Sequence, residues 1–353
     1  KKLLILLCFP SIGFGQCDRQ QIVDNYNNIY LGSEVSTLQL GWTGNINICD
    51  PGTITNLALN NTLDRINYFR DLVGLPSDII FDPILNQKCQ EAALIMSANG
   101  GNNHFPPPNW NCYSADGASA AENSNLAFNI HSSDAITGFI EDPGIDNYHV
   151  GHRRWILYTR ANTFGTGSTD NTNATWVISP VLNPLFYHFV CYPSEGFFPA
   201  PLVFDRWSFG MPNADFSNTT ISMTDEQGIN IPLTIQPLLI GAGDNTIVWE
   251  PDQSYINLNS LEDIKYTVTI SNFSVFGTNI PDYSYEVIIM TKMNGSNLVH
   301  PPNCPSLTVW NEDSCSCINQ STSIIELNQN KRILQKITNI FGQSTNEKKN
   351  TPL

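Results

Sequence analysis

Val150-Gly-His-Arg-Arg-Trp155 is the stretch on which the reading of the whole chain turns. Downstream it leads through Ile156-Leu157 into Gly165-Thr-Gly167 and the strand-like run Ala174-Thr-Trp-Val-Ile178. Upstream the pattern is helical. Leu57, Leu59, Leu63, Ile66, Phe69 and Val73 recur at the spacing of one helix face, and Gly74-Leu-Pro76 ends it. A second helix opens at Asp82-Pro83, where proline suits a first turn. Leu85, Cys89, Ala92, Ala93 and Met96 mark its apolar face, and Gly100-Gly101 stops it. A third covers roughly Asp134 to Asp142, before Pro143-Gly144. Helices first and strands after, with no βαβ alternation, predict an α+β layer arrangement.

His152 closes an ordered set. His104 follows the second helix on a loop, Glu122 lies in Ala121-Glu-Asn123, and an acid ends the third helix. That acid is Asp142 or its neighbour Glu141, one carbon longer. Two imidazoles and two carboxylates suit a divalent cation such as zinc, the carboxylates fixing the imidazole tautomers and raising their basicity. His104 and His152 are the expected metal ligands. The same groups could serve as general acid and base on a bound water, with Glu122, Asp142 and Glu141 as the catalytic candidates. Spacing alone does not bring together histidines 48 residues apart. Arg153 and Arg154 are expected to pair with acids of the same domain, unless one lines the cleft and holds a ligand carboxylate or sulfate by a bidentate fork. His131, His149, His188 and His300 lack motif context and read as structural. His149 is the first exception to consider, being three residues from His152.

Charge and cysteines set the compartment. With 17 basic and 32 acidic residues the net charge is −15, which repels phosphate and argues against nucleic acid and anionic lipid as partners. A length of 353 residues suggests two domains, and an apolar fraction of 41% is enough to build their cores. Lys1-Lys2, the apolar run Leu3 to Phe9 and the small residues of Gly13-Phe-Gly15 read as a secretory signal over 1–15. The run is too short to span a bilayer, and nothing later reads as a membrane helix. Cys17 follows Gln16 rather than a small residue, which argues against a lipoprotein signal. Without Cys8, eight of the nine cysteines remain, an even count that reads as disulfides in an exported chain. Proximity suggests Cys17 with Cys49 and Cys89 with Cys112. No CxxC pair supports a cysteine zinc site.

The run from about Asn67 to Tyr192 resembles the CAP superfamily of cysteine-rich secretory, antigen 5 and pathogenesis-related proteins, also called SCP domains. Asn67-Tyr-Phe-Arg70 is similar to the family's first-helix Asn-x-x-Arg, and His104 stands where its first cavity histidine is expected. Ala121-Glu-Asn123 resembles the Gly-Glu-Asn motif, with alanine for glycine. Ala135-Ile-Thr-Gly-Phe-Ile-Glu-Asp142 resembles the Ala-Val-x-x-Trp-x-x-Glu helix, with Phe139 for the tryptophan. Val150 to Trp155 resembles the Gly-His motif in its bacterial form, and Cys191-Tyr-Pro193 faintly resembles the late Cys-Asn-Tyr motif. The resemblance implies an α-β-α sandwich whose cleft is lined by His104, Glu122, Asp142 or Glu141, and His152.

Beyond about Pro201 the periodicity drops to two: Ile229, Ile231, Leu233 and Ile235, then Tyr266, Val268 and Ile270, then Tyr283, Tyr285, Val287 and Ile289. This predicts a small antiparallel β-sandwich, and Arg206-Trp-Ser-Phe209 onward resembles the immunoglobulin-like segments that follow bacterial CAP modules. Lys331 to Gly342 and Lys348 to Leu353 resemble the C-terminal sorting domain of type IX secretion cargo, which normally continues further, so a truncated sorting domain is expected. The expected organisation is signal 1–15, N-terminal segment 16–52, CAP domain 53–200, β domain 201–291, cysteine-bearing linker 292–321 and sorting segment 322–353. The function expected is a secreted or surface binding protein whose cleft holds a divalent cation, a small-molecule, lipid or cell-envelope ligand, or both, with no organic cofactor, exported by the type IX machinery. Metal-assisted hydrolase and adhesin with a vestigial cleft are the rival readings. Against the hydrolase, no Gly-x-Ser-x-Gly elbow and no His-Glu-x-x-His helix is present.

Overall fold

Four helices of the N-terminal half start on side chains that accept their first free amides. A computed structural model describes residues 16–178, 189–293, 308–311 and 316–319. The signal expected over 1–15, the sorting segment over 322–353, His188 and His300 lie outside the described residues. Helix α1 spans Gln16–Asn25 and α2 Thr37–Leu40, the latter opened by a capping box in which Ser36 and Gln39 satisfy each other's amides. Thr55 accepts from Ala58 N to open α3 (Asn56–Leu72), and Asp82 accepts from Ile84 N and Leu85 N to open α4 (Pro83–Asn99). Ser114 caps α5 (Ala115–Glu122); α6 (Ser132–Glu141) and α7 (Gly151–Ile156) complete the set.

Strands β1 (Ile80–Phe81), β2 (Ser124–Phe128), β3 (Thr163–Thr169) and β4 (Thr172–Trp176) form a sheet of order β1-β3-β4-β2. Alternation sorts its two faces. Leu126, Ala174 and Gly167 stand in register on one face, where Leu126 and Ala174 pack with Cys89, Ala92, Ile95 and Met96 of α4 and with Ala120 and Ala121 of α5. A Cβ on Gly167 would overlap the backbone of Gln90, so glycine is what lets α4 lie this close to β3. The opposite face offers Phe164 and Ala127 to Ile66 and Phe69 of α3 and to Ile136 and Phe139 of α6. The result is helix, sheet, helix.

Two residues of α3, the partly buried Asn67 and the buried Arg70, tie this layering to the loops beyond it. Asn67 donates to the Ile79 carbonyl and accepts from its amide, at 3.2 and 3.1 Å. Arg70, fully buried, donates to the carbonyls of Pro76, Ile156 and Tyr158 at 2.9 to 3.0 Å. Both are structural.

Strands β5 (Val190–Tyr192) and β6 (Gly196–Pro199) leave the first sheet for two others. With β7 (Trp207–Gly210), β8 (Ala214–Asp215), β9 (Thr220–Asp225), β10 (Leu233–Ile235), β11 (Thr246–Pro251), β12 (Ile264–Ser271), β13 (Ser274–Val275), β14 (Thr278–Asn279) and β15 (Tyr283–Met290), they build sheets of order β10-β11-β7-β5 and β6-β15-β12-β9, plus a small β14-β13-β8 sheet. The two large sheets share a core: Trp207 meets Tyr266 edge-on at 6.4 Å and Phe209 meets Tyr283 at 5.7 Å between ring centroids. The pairs are antiparallel except β15 with β6. Residues 21–293 form one unit; residues 1–20 and 294–353 form a second, in which β16 (Thr308–Asn311) and β17 (Ser316–Asn319) make a hairpin.

Cysteine pairing departs from expectation. Cys49 is bridged to Cys112, with Cα atoms 4.9 Å apart, whereas Cys89 is a free, fully buried thiol. Cys89 sits on the face of α4 turned to the sheet, its Sγ 3.8 Å from Ser124 Oγ, while Cys112 lies in the exposed loop after it. Proximity in sequence could not separate two cysteines on opposite sides of one helix end. Burial raises the Cys89 thiol to about 12, so it stays protonated and inert. Cys191 is likewise free and buried, and the side chain of Cys17 is outside the description.

Candidate functional site

The helix ends and loops around β2 deliver the histidines to one place. Helix α4 stops at Gly100 in the left-handed region, and the loop beyond it carries His104 back toward the end of α5. There His104 Nδ1 lies 2.8 Å from the Ala121 carbonyl. A carbonyl only accepts, so Nδ1 carries the proton and Nε2 keeps its lone pair.

His152 is set the same way from the other side. Helix α6 ends at Glu141, and Asp142 turns into the left-handed region, φ 54°, which swings its carboxylate back over the start of α7. Asp142 Oδ2 accepts from His152 N at 2.9 Å and Oδ1 from His152 Nδ1 at 2.7 Å. The carboxylate therefore fixes both the backbone and the tautomer of His152, again leaving Nε2 with the lone pair. Asp142 is 1% exposed and Glu141 is exposed. Asp142 thus stands behind His152 rather than in the cleft, and Glu141 points to solvent. Phe139 stacks on the His152 ring at 5.5 Å, at the position where the family resemblance expected tryptophan.

His104, Glu122 and His152 line one cavity of about 270 Å³, with Ser124, Asn125, Asn147, His149, Gly151, Trp155, Val177, Ile178 and Ala242. Ser124, Asn125 and Val177 are buried at its depth, while His104, Glu122 and Ile178 are exposed at its edge. Asn125 donates to the His152 carbonyl at 3.0 Å, which holds the turn of α7 from beneath. His149, read as structural from sequence, is the cleft's third imidazole. Burial, and then the nearby charge of Arg154, lowers its pKa, and its Nδ1 is buried without a hydrogen-bond partner. The one signal for it was its three-residue spacing from His152. His131 lies elsewhere, its Nε2 3.4 Å from Thr37 Oγ1.

Neither arginine after His152 binds an acid as expected. Arg153, fully buried, donates to the carbonyls of Ile140, Glu141 and Arg206 and lies 4.3 Å over the Tyr192 ring. Arg154 donates to the carbonyls of Leu239 and Asp244. Both clamp backbone, because the ends of α6 and of the β10–β11 loop present bare carbonyls that only a multiply donating side chain can satisfy at once. Arg206 adds to this, donating to the carbonyls of Asp142 and Gly144 at 2.8 Å each while its Nε binds Glu250.

Two imidazoles that line one cavity, each with its Nδ1 tied to another group, can hold a cation or exchange a proton with a bound molecule. Among the described residues, no three His, Cys, Asp or Glu side chains are grouped to enclose a metal ion. A cation here would take the two imidazoles and complete its shell with water or ligand atoms. A larger concavity, about 640 Å³, lies between α3 and α4, lined by Pro51, Ile54, Leu59, Asn86 and Gln90 among others. None of its lining residues is ionisable, so the histidine cleft is where the chemistry can sit.

The residues up to β5 thus form a three-layer fold with an imidazole-lined cleft at the ends of its helices. Residues 63–192 match the family model described as the cysteine-rich secretory protein family, CAP, so the chain carries a CAP domain. No curated protein and no solved structure gives a significant match.

Proposed function

We propose that this is a secreted or cell-surface CAP-domain protein whose cleft binds a divalent cation, zinc by preference, through Nε2 of His104 and His152. One observation carries the reading: both rings line the same cavity and are tied through Nδ1, to the Ala121 carbonyl and the Asp142 carboxylate, which leaves Nε2 of each as the nitrogen available to a cation. Borderline-soft zinc suits imidazole donors, and a partner on the far nitrogen is the usual support for a histidine ligand. Glu122, exposed at the cleft edge, would add negative charge near the ion. The open remainder of the shell leaves room for a small-molecule or envelope ligand to bind through the ion.

The signal-like residues 1–15, the sorting-like residues 322–353 and the Cys49–Cys112 bridge support export, and no helix among the described residues is long and apolar enough to cross a membrane. The two facing sheets support reading residues 201–291, together with β5 and β6 just before them, as an immunoglobulin-like module. Isothermal titration of the chain with zinc tests the cation reading. One zinc should bind per chain, and a His104→Ala, His152→Ala double variant should lose at least about tenfold in affinity. Equal binding by both proteins would sink the proposal.

A further inference from the structure

The larger concavity, about 640 Å³, is within the size range of small-molecule sites and shares no lining residue with the histidine cleft. The turn that carries Pro51 into it is fixed from several sides. Asn45 and Asp50 exchange backbone hydrogen bonds at 2.8 and 3.0 Å, and Trp42 Nε1 donates to the Pro51 carbonyl at 2.8 Å. Gly52 adopts φ +59°, and a Cβ there would overlap the Gly44 amide nitrogen, so closing the turn requires glycine. The Cys49–Cys112 bridge then ties it to the loop after α4.

Helix α4 contributes Asn86, Gln87 and Gln90. Gln90 is fully committed: Nε2 donates to the Pro51 and Ser168 carbonyls at 3.1 and 2.8 Å, and Oε1 accepts from Ser168 N at 3.1 Å. Asn86 Oδ1 accepts from Thr166 N at 2.8 Å, which orients the carboxamide, and its two N–H donors have no acceptor among the described residues. Gln87, and Asn56 at the start of α3, are exposed and present whole carboxamides. Strand β1 covers β3 only at Thr163 and Phe164, so Asn86 and Gln90 also close the bare edge of β3 that follows.

The lining thus joins free carboxamides to the apolar carbon of Pro51, Ile54, Leu59 and Pro83, and no ionisable group enters it, in a chain with 32 acidic residues. An ion finds no counter-charge there, and a peptide finds no open strand edge to extend. A wholly apolar ligand would strip water from the carboxamides and return no hydrogen bond. Sugar hydroxyls donate and accept as carboxamides do, while the C–H face of the ring packs on apolar carbon. We propose that this groove is a second ligand site, which binds a short run of an uncharged glycan.

Binding to the full chain is read by saturation-transfer difference NMR. Maltotriose, cellotriose and mannotriose are the neutral probes, trigalacturonic acid the charged one and N-acetyl-trialanine amide the neutral peptide. At least one neutral trisaccharide should bind, with a Kd unchanged between about pH 5 and pH 8 and by added zinc or chelator, because nothing in the lining titrates there. Trigalacturonic acid and the peptide should not bind. An Asn56→Leu, Gln87→Leu double variant keeps the bulk and removes both exposed carboxamides. It should weaken binding at least about tenfold with an unchanged melting temperature. Gln227→Leu, on an exposed turn elsewhere, should leave the affinity as it is. No binding by any neutral trisaccharide, tighter binding of the peptide, or an affinity that survives the double variant overturns the proposal. So does an affinity that follows zinc or pH, which would place the sugar in the histidine cleft. A chain that binds sugar in this way but not zinc would refute the cation reading alone.

Discussion

His149 shows how a single side chain can make the cleft pH-sensitive. Its pKa is lowered by burial and by Arg154, so the unfolded chain takes up a proton there before the folded one does. The stability linked to this group is therefore present above the ordinary histidine value of about 6.5 and is lost as pH falls through the lowered folded value. Urea unfolding between about pH 8 and pH 5 should show wild type losing more stability below about pH 6.5 than His149→Gln. Parallel curves would show that His149 is not the linked group. Residue by residue, His104, Glu122 and His152 could be named from sequence because each stands in a motif. Two adjacent acids could not be separated that way. The choice between Asp142 and Glu141 depends on where α6 ends and on the left-handed turn at Asp142, which sends one carboxylate to His152 and leaves the other in water.

Among the elements, α6 and α7 meet end to start, and Arg153 holds the junction. It donates to the carbonyls of Ile140, Glu141 and Arg206, and burial lowers the guanidinium only to about 10, so it stays charged at neutral pH. Arg153→Met keeps the bulk and orphans the carbonyls. It should cost about 3 kcal/mol of unfolding free energy, read from the shift in denaturant midpoint at constant slope. A loss under about 0.5 kcal/mol would mean that water replaces the arginine. Helix starts were legible at this scale, since Asp82-Pro83 carries its own cap and first turn and α4 begins there. The pairing of β5 with β7 and of β6 with β15 was not, because three- and four-residue strands have too little period for a sequence to assign them to a sheet.

Across the whole molecule, the Cys49–Cys112 bridge closes a span of 63 residues that includes α3, β1 and α4. Opening it with Cys49→Ser and Cys112→Ser should cost roughly 4 kcal/mol by the loop entropy returned to the unfolded chain. Thermal melts with and without the substitutions check this, and a bridged Cys89 in unreduced peptide maps would contradict the pairing. At the same scale Arg154, Arg206 and Asp244 join the CAP layers to the later sheets around the cleft. The sequence by itself determined what is local or periodic: most of the helix faces, though Leu57 is exposed, the period-two strands at 266–270 and 283–289, though not the run from Ile229 to Ile235, whose two ends are exposed, the motif histidines and the acidic balance. Each of those follows from residues within a few positions of one another. Only the tertiary structure decided which cysteines meet, which acid holds His152, that both arginines grip backbone, and that Ala242 belongs to the cleft. Those depend on distances between segments tens of residues apart, which chain folding sets and local pattern does not encode.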